Sequence, residues 1–509
     1  MIRRSVLLEY PYDTTFDFGT DFLMNLQISE AGHKLNHTGS YVLLRRFHGE
    51  NVTLTNTGEQ RNTARLKVDE MREAMEPSVL ERHKEIAKAV REHPIEFKPA
   101  IEDLARMFPW IESVSTLAQQ TQGTRQNQSM EVVNSSQTVG DSYAIHRQRW
   151  VQQGSVLSFD ALTRTIHFHM PSTWSLERTH DDLLRLAHFV LNSPFEDGIL
   201  EGWVPTRKQG SRPGLAFSGG VDSTAAMMLM PPETVLIYNE RIGLKSILDH
   251  TNALRFIDEL AKHGRPVLRV QSDHEGIRLD HGKPAGFSTD LAGAVQVILL
   301  ADHFDLGYLA MGMPLENAYL FHGHTGRDFI QTRFWKLHSK IFSKAGLELY
   351  YPVAGLSEFA NQRLVESEEI GRYAQSCLRS NQSGEVCGQC WKCFRKNSMR
   401  GRDIRLEGET LSFLAKRPLK QAASTLYAIQ RLPEEQQQQI TSLHEDLGEL
   451  LGADYGFLDR FHPGALLLVP ERYRSRTESK IRALLDQMTD VEQEQLLSMD
   501  LKTQVRQQA

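Results

Sequence analysis

The stretch Ser218-Gly219-Gly220-Val221-Asp222-Ser223 lies directly behind the short apolar run Leu215-Ala216-Phe217 and ahead of a helix-forming segment, Thr224 to Met230. An apolar strand that ends in a Gly-Gly turn and opens a helix presents backbone N–H groups beside the positive end of a helix dipole. That arrangement receives phosphate oxygens. Glycines let the main chain approach an anion closely, and Ser218 and Ser223 add hydroxyl donors. No Gly-Lys-Ser/Thr follows, so the loop is not of the Walker type. The plainer reading, a turn that merely joins strand to helix, is open to any such hexamer; here the flanking strand and helix stand where a phosphate site requires them.

Outward from this loop, residues 205–400 alternate strand and helix. Strands are expected at Leu215–Phe217, Thr234–Tyr238, Pro266–Val270, Gly307–Met311 and Leu347–Tyr350, with helices at Ser246–His263, Thr289–His303 and Phe329–Lys344. Short, continuously apolar strands suit a parallel sheet covered on both faces, so the expected fold class is α/β, a doubly wound parallel sheet. Ligands then bind outside the carboxyl ends of the strands, where Ser218–Ser223, Tyr238–Arg241 and Gly312–Asn317 lie. Residues 1–200 read as an N-terminal α+β region, with strands at Val42–Leu44 and Ile166–His169, helices at Val68–Arg91 and Leu176–Leu191, and a flexible polar loop near 115–142. Residues 401–509 read as a helical C-terminal region.

The only four cysteines, Cys377, Cys387, Cys390 and Cys393, fall as C-x9-C-x2-C-x2-C. Four thiolates complete a closed tetrahedral zinc site, here a knuckle over 377–393 of structural type. Disulfides and an iron–sulfur cluster are the competing readings. Trp391 and Phe394 are expected to pack this knuckle.

The chain has 509 residues, enough for two or three domains, and a net charge of −6 from 58 basic and 64 acidic residues. That balance gives no global reason to bind nucleic acid. No apolar run reaches the roughly twenty residues that span a bilayer, and no signal peptide is evident, so a cytoplasmic protein without a membrane partner is expected.

The string S-G-G-x-D-S resembles the pyrophosphate loop of the ATP-pyrophosphatase superfamily, whose fold is adenine-nucleotide α-hydrolase-like. Together with the cysteine element it resembles one branch, the 7-cyano-7-deazaguanine synthase (QueC) family, which carries S-G-G-x-D-S-T and ends in C…C-G-x-C-x-x-C. Gly312-Met313-Pro314-Leu315-Glu316-Asn317 is similar to that family's G-V-N-A-E-D, and Pro352-Val353-Ala354-Gly355-Leu356-Ser357 to its P-L-I-G-L-S-K. The family's V-P-G-R-N is here Lys283-Pro284-Ala285-Gly286-Phe287-Ser288-Thr289, and its D-Y-G-Q is Tyr238-Asn239-Glu240-Arg241. The chain is longer than family enzymes and in this resembles the enlarged QatC-like members of bacterial anti-phage systems.

The resemblance implies an ATP-dependent carbon–nitrogen ligase. A deazapurine carboxylate would be adenylated with release of pyrophosphate and then captured by an amine, with ammonia leading to a nitrile and a protein acceptor or operon partner to an amide. It implies ATP, magnesium and zinc. Ser218, Gly219, Gly220, Val221, Asp222, Ser223, Tyr238 and Gly312 would bind nucleotide, and Ser218, Asp222, Ser223 and Glu316 would act in catalysis, Asp222 by capping the helix or orienting magnesium and Glu316 by joining that magnesium, with a solvated loop carboxylate as the ordinary alternative for Glu316. Alternatives are a tRNA-thiolating enzyme of the same fold and a non-catalytic nucleotide-binding scaffold. Lys283 and Arg327 are candidates to face phosphates, with plain surface as the ordinary alternative. His303, His322, His324 and His338 fit no common ligand spacing and read as loop or surface histidines. Residues 1–200 are expected to bind a partner macromolecule, because every motif above lies beyond residue 205.

Overall fold

The computed structural model describes residues 146–501, apart from 244–249, 322, 376, 378–384, 403 and 444–445. The expectations for Val42–Leu44, Val68–Arg91, the 115–142 loop and His322 therefore lie outside the described residues. The centre is an eight-stranded sheet. Its first three strands, β1 (Trp150–Gln153), β2 (Val156–Asp160) and β3 (Thr165–His169), form an antiparallel meander. The next four, β4 (Arg212–Phe217), β5 (Val235–Arg241), β6 (Val267–Ser272) and β7 (Leu306–Met311), are parallel to one another. A two-stranded ribbon follows, β8 (Leu320–Phe321) with β9 (Thr325–Gly326), and then β10 (Glu348–Tyr350), which joins the large sheet parallel to β7.

The strand order is β1-β2-β3-β6-β5-β4-β7-β10. The chain steps from β4 through β5 to β6 on one side and then returns to β7 on the other. That reversal leaves a crevice at the carboxyl ends of β4 and β7, the topological switch point at which open α/β sheets bind ligands. Residue chemistry follows the layers. In β7 the run Leu-Gly-Tyr-Leu-Ala is buried throughout, as a strand covered on both faces must be. In the meander burial alternates, with Leu157, Phe159, Ile166 and Phe168 turned inward.

The expected boundary at 200–205 is crossed by the fold. β3 pairs antiparallel with β6 through Phe168↔Ser272 and His169↔Gln271. Helix α1 (Asp181–Asn192), capped by His180 at Asp182 N, shares one core with the parallel strands, and Trp174 Nε1 donates to Leu299 O at 2.9 Å. The boundary at 400 is crossed too: Tyr350 of β10 stacks on Tyr473 at 5.6 Å and its hydroxyl bonds Thr477 Oγ1 at 3.0 Å. The described residues all belong to one unit, Ser136–Ala509.

Three expected helices are shorter. The 176–191 helix begins only at Asp181, because Thr179 N turns back to Leu176 O at 3.1 Å before His180 caps the first turn. Residues 289–303 hold a single 3-10 turn, Ala292–Ala294, and a short helix, Val295–Leu299, with Gly293 close to the Phe287 ring. Thr332 breaks 329–344: its Oγ1 accepts from Trp335 N at 3.2 Å and starts the helix Arg333–Lys344 afresh.

Gly312, just past β7, sits against the first turn of the helix Val221–Leu229. An added Cβ would lie 2.6 Å from Ser223 N and Cα. Gly312→Ala should cost roughly 1–3 kcal/mol in urea unfolding. Gly448→Ala, in a helix with nothing within 4 Å, should stabilise by up to about 1 kcal/mol. Equal effects of the two substitutions would contradict this packing.

Candidate functional site

At the switch point the chain leaves β4 at Phe217, turns through Ser218–Gly220 and enters helix α2 (Val221–Leu229). Gly219 is in the left-handed region at φ +72°, and its backbone lies so close to Ala253 that a Cβ would sit 3.0 Å from the alanine's Cβ. Ser223 Oγ accepts from Ser218 N at 3.2 Å, lies 3.0 Å from Ser218 Oγ and donates to Gly220 O at 3.0 Å. The two hydroxyls thus fix the hexapeptide as a closed loop. Gly220, the N-cap residue, receives no side-chain cap.

The loop forms one wall of a cavity of about 570 Å³ over the ends of β4, β5 and β7. Ser218, Ser223, Tyr238 and Gly312 line it, together with Asn239, Arg241, Phe287, Asp290, Arg327 and Gln421. Gly219, Gly220 and Val221 form the turn beside it. Asn239 carries an amide nitrogen and oxygen that are both buried without a partner, and Gln421 Oε1 is in the same state. Such groups are costly unless something completes their hydrogen bonds. Arg241 forms an ion pair with Glu275 and lies 4.5 Å over the Phe287 ring. His274, driven down to about 4 by burial, stacks between Phe168 and Phe287 and braces that wall. Burial raises the Tyr238 phenol, whose hydroxyl hydrogen-bonds His250 Nδ1.

Beneath the loop is a cluster of buried charges. Asp222 Oδ1 accepts from Asn361 Nδ2 at 3.0 Å. Burial raises its pKa and Glu358 adds to that, against Lys396 and the Asn361 bond. Glu358 opens helix α6 (Glu358–Glu366) and takes a fork of bonds from Arg395, which is 0 % exposed, at 2.7–3.1 Å. Burial opposes its charge, but Arg395 and Lys396 outweigh it and hold the carboxyl low. Lys396, next along the same helix α7 (Trp391–Met399), is pushed down to about 8 by burial, against Asp222 and Glu358.

Glu316 does not line the cavity, contrary to the role expected for it. Its side chain is fully buried and accepts from Glu358 N at 3.0 and 3.2 Å and from Ser424 Oγ at 2.6 Å. Burial, with Glu358 beside it, raises its pKa to about 8. The short helix Leu315–Ala318 turns the carboxyl under the start of α6, where it accepts from the first N–H of that helix. Lys283 is exposed and outside the cavity, whereas Arg327 lines it and spends Nε and Nη2 on Ala318 O and Asn317 O at 2.8 and 2.6 Å.

The four cysteines converge. Their sulfurs lie within 4.8 Å of one another, and Cys377, Cys390 and Cys393 are buried. Contacts of 3.5 Å for Cys390–Cys393 and 3.7 Å for Cys387–Cys393 match the edge of roughly 3.8 Å that metal–sulfur bonds of 2.3 Å give a tetrahedron. They are far beyond a disulfide. Neighbouring thiols and burial raise Cys390 to about 11 and raise Cys393 too. This group can hold a zinc ion. It is the one such group among the described residues. His303 lies 3.3 Å from Thr173 Oγ1, and His338 bonds Phe334 O at 2.9 Å. His324 is also not part of a ligand group. Trp391 lies under Arg395 at 4.2 Å and Lys420 at 4.3 Å, and Phe394 packs edge-on to Phe413.

The sequence reading placed Asn239 at a ligand-binding edge without a role and did not single out Asp290 and Gln421 on the cavity wall or Arg395 and Lys396 beneath the loop. Asn239 and Arg241 carried a signal, since they follow the second strand at a predicted ligand edge. Gln421 carried none: it stands far along the chain, at φ +51° ahead of the helix Ala422–Gln430.

A family model described as a family of unknown function, DUF6395, matches residues 337–500, less than half of the chain. That stretch contains the cysteines and α7 but not the Ser218–Ser223 loop. No curated protein and no solved structure matches the chain. No helix among the described residues is long and apolar enough to cross a membrane.

Sealed as it is, Glu316 should make stability fall as pH rises. Its folded pKa lies above the unfolded one, so the folded state binds the extra proton between about 4.5 and about 8. Glu316→Gln removes that slope. Relative to the parent, the variant should gain on the order of a few kcal/mol between pH 5 and 8 in chemical denaturation. A pH-independent difference would contradict the burial.

Proposed function

We propose that the chain is an ATP-dependent adenylating enzyme that activates a carboxylate, most simply a deazapurine carboxylate, for capture by an amine. The observation that carries this reading is the Ser218–Ser223 loop, set at the switch point of a largely parallel sheet and opening onto a cavity of about 570 Å³. Support comes from the strand order of β6-β5-β4-β7-β10, in keeping with an adenine-nucleotide α-hydrolase-like sheet. The unpartnered Asn239 amide, one donor and one acceptor, suits the edge of an adenine.

In this reading the substrate carboxylate attacks the α-phosphorus of ATP. The α–β bridging bond breaks, pyrophosphate leaves and an acyl-adenylate remains. The amine nitrogen then attacks the acyl carbon, AMP departs and a proton is lost to solvent. Such transfers need positioning and charge stabilisation more than covalent help. Ser218 and Ser223 and the first N–H groups of α2 would hold the leaving pyrophosphate, while Asp222 fixes the loop through Asn361. Asp290, among the described residues the only acidic side chain on the cavity wall, offers a hard oxygen ligand for magnesium, which neutralises phosphate charge. Ser218→Ala should lower pyrophosphate release by at least tenfold at unchanged melting temperature. ADP and orthophosphate as the main products would overturn the reaction class.

We further propose that the cysteine group holds one structural zinc, because four thiols at tetrahedral spacing leave no open coordination position. Elemental analysis should give about one zinc per chain. Cys390→Ser should lower zinc content and melting temperature together. A visible absorbance band with iron and labile sulfide would instead assign a cluster.

A further inference from the structure

The helix α5 (Arg333–Lys344) carries Arg333, Lys336, Lys340 and Lys344 and no acidic residue. At 100° per residue these four occupy a single face less than a quarter-turn wide, and all are exposed. Among the described residues none of these four side chains has an ion-pair or hydrogen-bond partner, although the chain as a whole is acidic at −6. Elsewhere basic residues on helices do find acidic partners one turn away, as Lys262 with Glu259 and Arg482 with Glu478.

The stripe borders a second concavity, about 430 Å³, between α5, the edge strand β10 and the segment 467–470. Lys340 and Lys344 line it, and Trp335, Leu349 and Leu468 give it apolar walls. Leu467, also lining it, is 61 % exposed, and Glu348 is its one carboxylate. The other end of α5 belongs to the first cavity, which Phe329 and Phe334 line. One helix therefore runs from the candidate active site to an apolar groove and carries unneutralised positive charge along the way.

We propose that this face docks an acidic polypeptide segment with an apolar anchor. Charge complementarity selects the acidic residues, and the groove beside Leu467 takes the anchor. Arg333 to Lys344 spans about 16 Å along the helix, the reach of about five extended residues. The apolar lining of Trp335, Leu349, Leu467 and Leu468 favours a peptide with an apolar anchor over a nucleic acid, which would use the basic side chains alone. The segment's free end would meet the first cavity, which makes it the amine-bearing acceptor; that last clause rests on the adenylating reading, the docking itself does not.

The test is fluorescence anisotropy of the full chain with a dye-labelled nine-residue peptide of alternating glutamate and leucine. A lysine–leucine counterpart and a twelve-nucleotide oligouridylate serve as comparators. The glutamate peptide should bind and the lysine peptide should not. The combined variant Lys336→Glu, Lys340→Glu, Lys344→Glu should weaken binding by at least tenfold, and Leu467→Ser by about threefold, with pyrophosphate release from ATP unchanged in both. No binding to the parent, or equal binding by the charge-reversed chain, overturns the docking. Tighter binding of oligouridylate that the same variant abolishes reassigns the face to nucleic acid. Loss of pyrophosphate release in the parent would sink the adenylating reading alone.

Discussion

Two consecutive cations on one helix, Arg395 and Lys396, hold the candidate site together. Arg395 is fully buried and neutralises Glu358, and Lys396 answers Asp222 of the loop. With burial raising Glu316 to about 8, Arg395 and Lys396 face the carboxyl groups of Glu358 and Asp222, and Lys392 adds to the positive field on both. An unpaired charge in such a place costs several kcal/mol, so the pairing constrains where α7 and the loop can sit. Cys390 is the N-cap residue of α7, and Cys393 lies in its first turn. Whatever fixes the cysteines therefore also fixes the cations under the loop.

That coupling gives the cysteine group a meaning beyond local stability. It anchors the start of the helix that supplies the counter-charges, and the loop is held from below by Asn361 and from the side by Gly312. The cavity above draws on distant parts of the chain: loop, β5 end, the 287–293 segment and Gln421. The 337–500 family match holds the cations and cysteines but lacks the loop they serve. A site of this kind is complete only when both parts of the chain are present.

The loop and the cysteines were legible because their chemistry is local. A Gly-Gly turn after an apolar strand needs no distant partner to be read, and Cys-x2-Cys spacing brings sulfurs together within one turn. The parallel strands were legible from their continuous apolar runs, as at Leu306–Met311. What was hidden depends on long-range register. β1–β3 alternate like a free-standing meander, and nothing in Ile166-His167-Phe168-His169 announces pairing with β6. Glu316 reads as a loop carboxylate until α6 is placed over it, and the role of Gln421 arises only from how α8 (Ala422–Gln430) packs on α7. Helix lengths failed where capping chemistry intervened, at His180 and Thr332.

The central claim, that the Ser218–Ser223 loop receives the phosphates of ATP, is tested most directly by a crystal structure with α,β-methylene-ATP, which cannot be split between those phosphates. The account predicts β- and γ-phosphate oxygens within hydrogen-bond distance of Ser218 Oγ, Ser223 Oγ and the Gly220 and Val221 nitrogens, with the adenine edge on the Asn239 amide. A nucleotide bound elsewhere, with the loop empty, would contradict it.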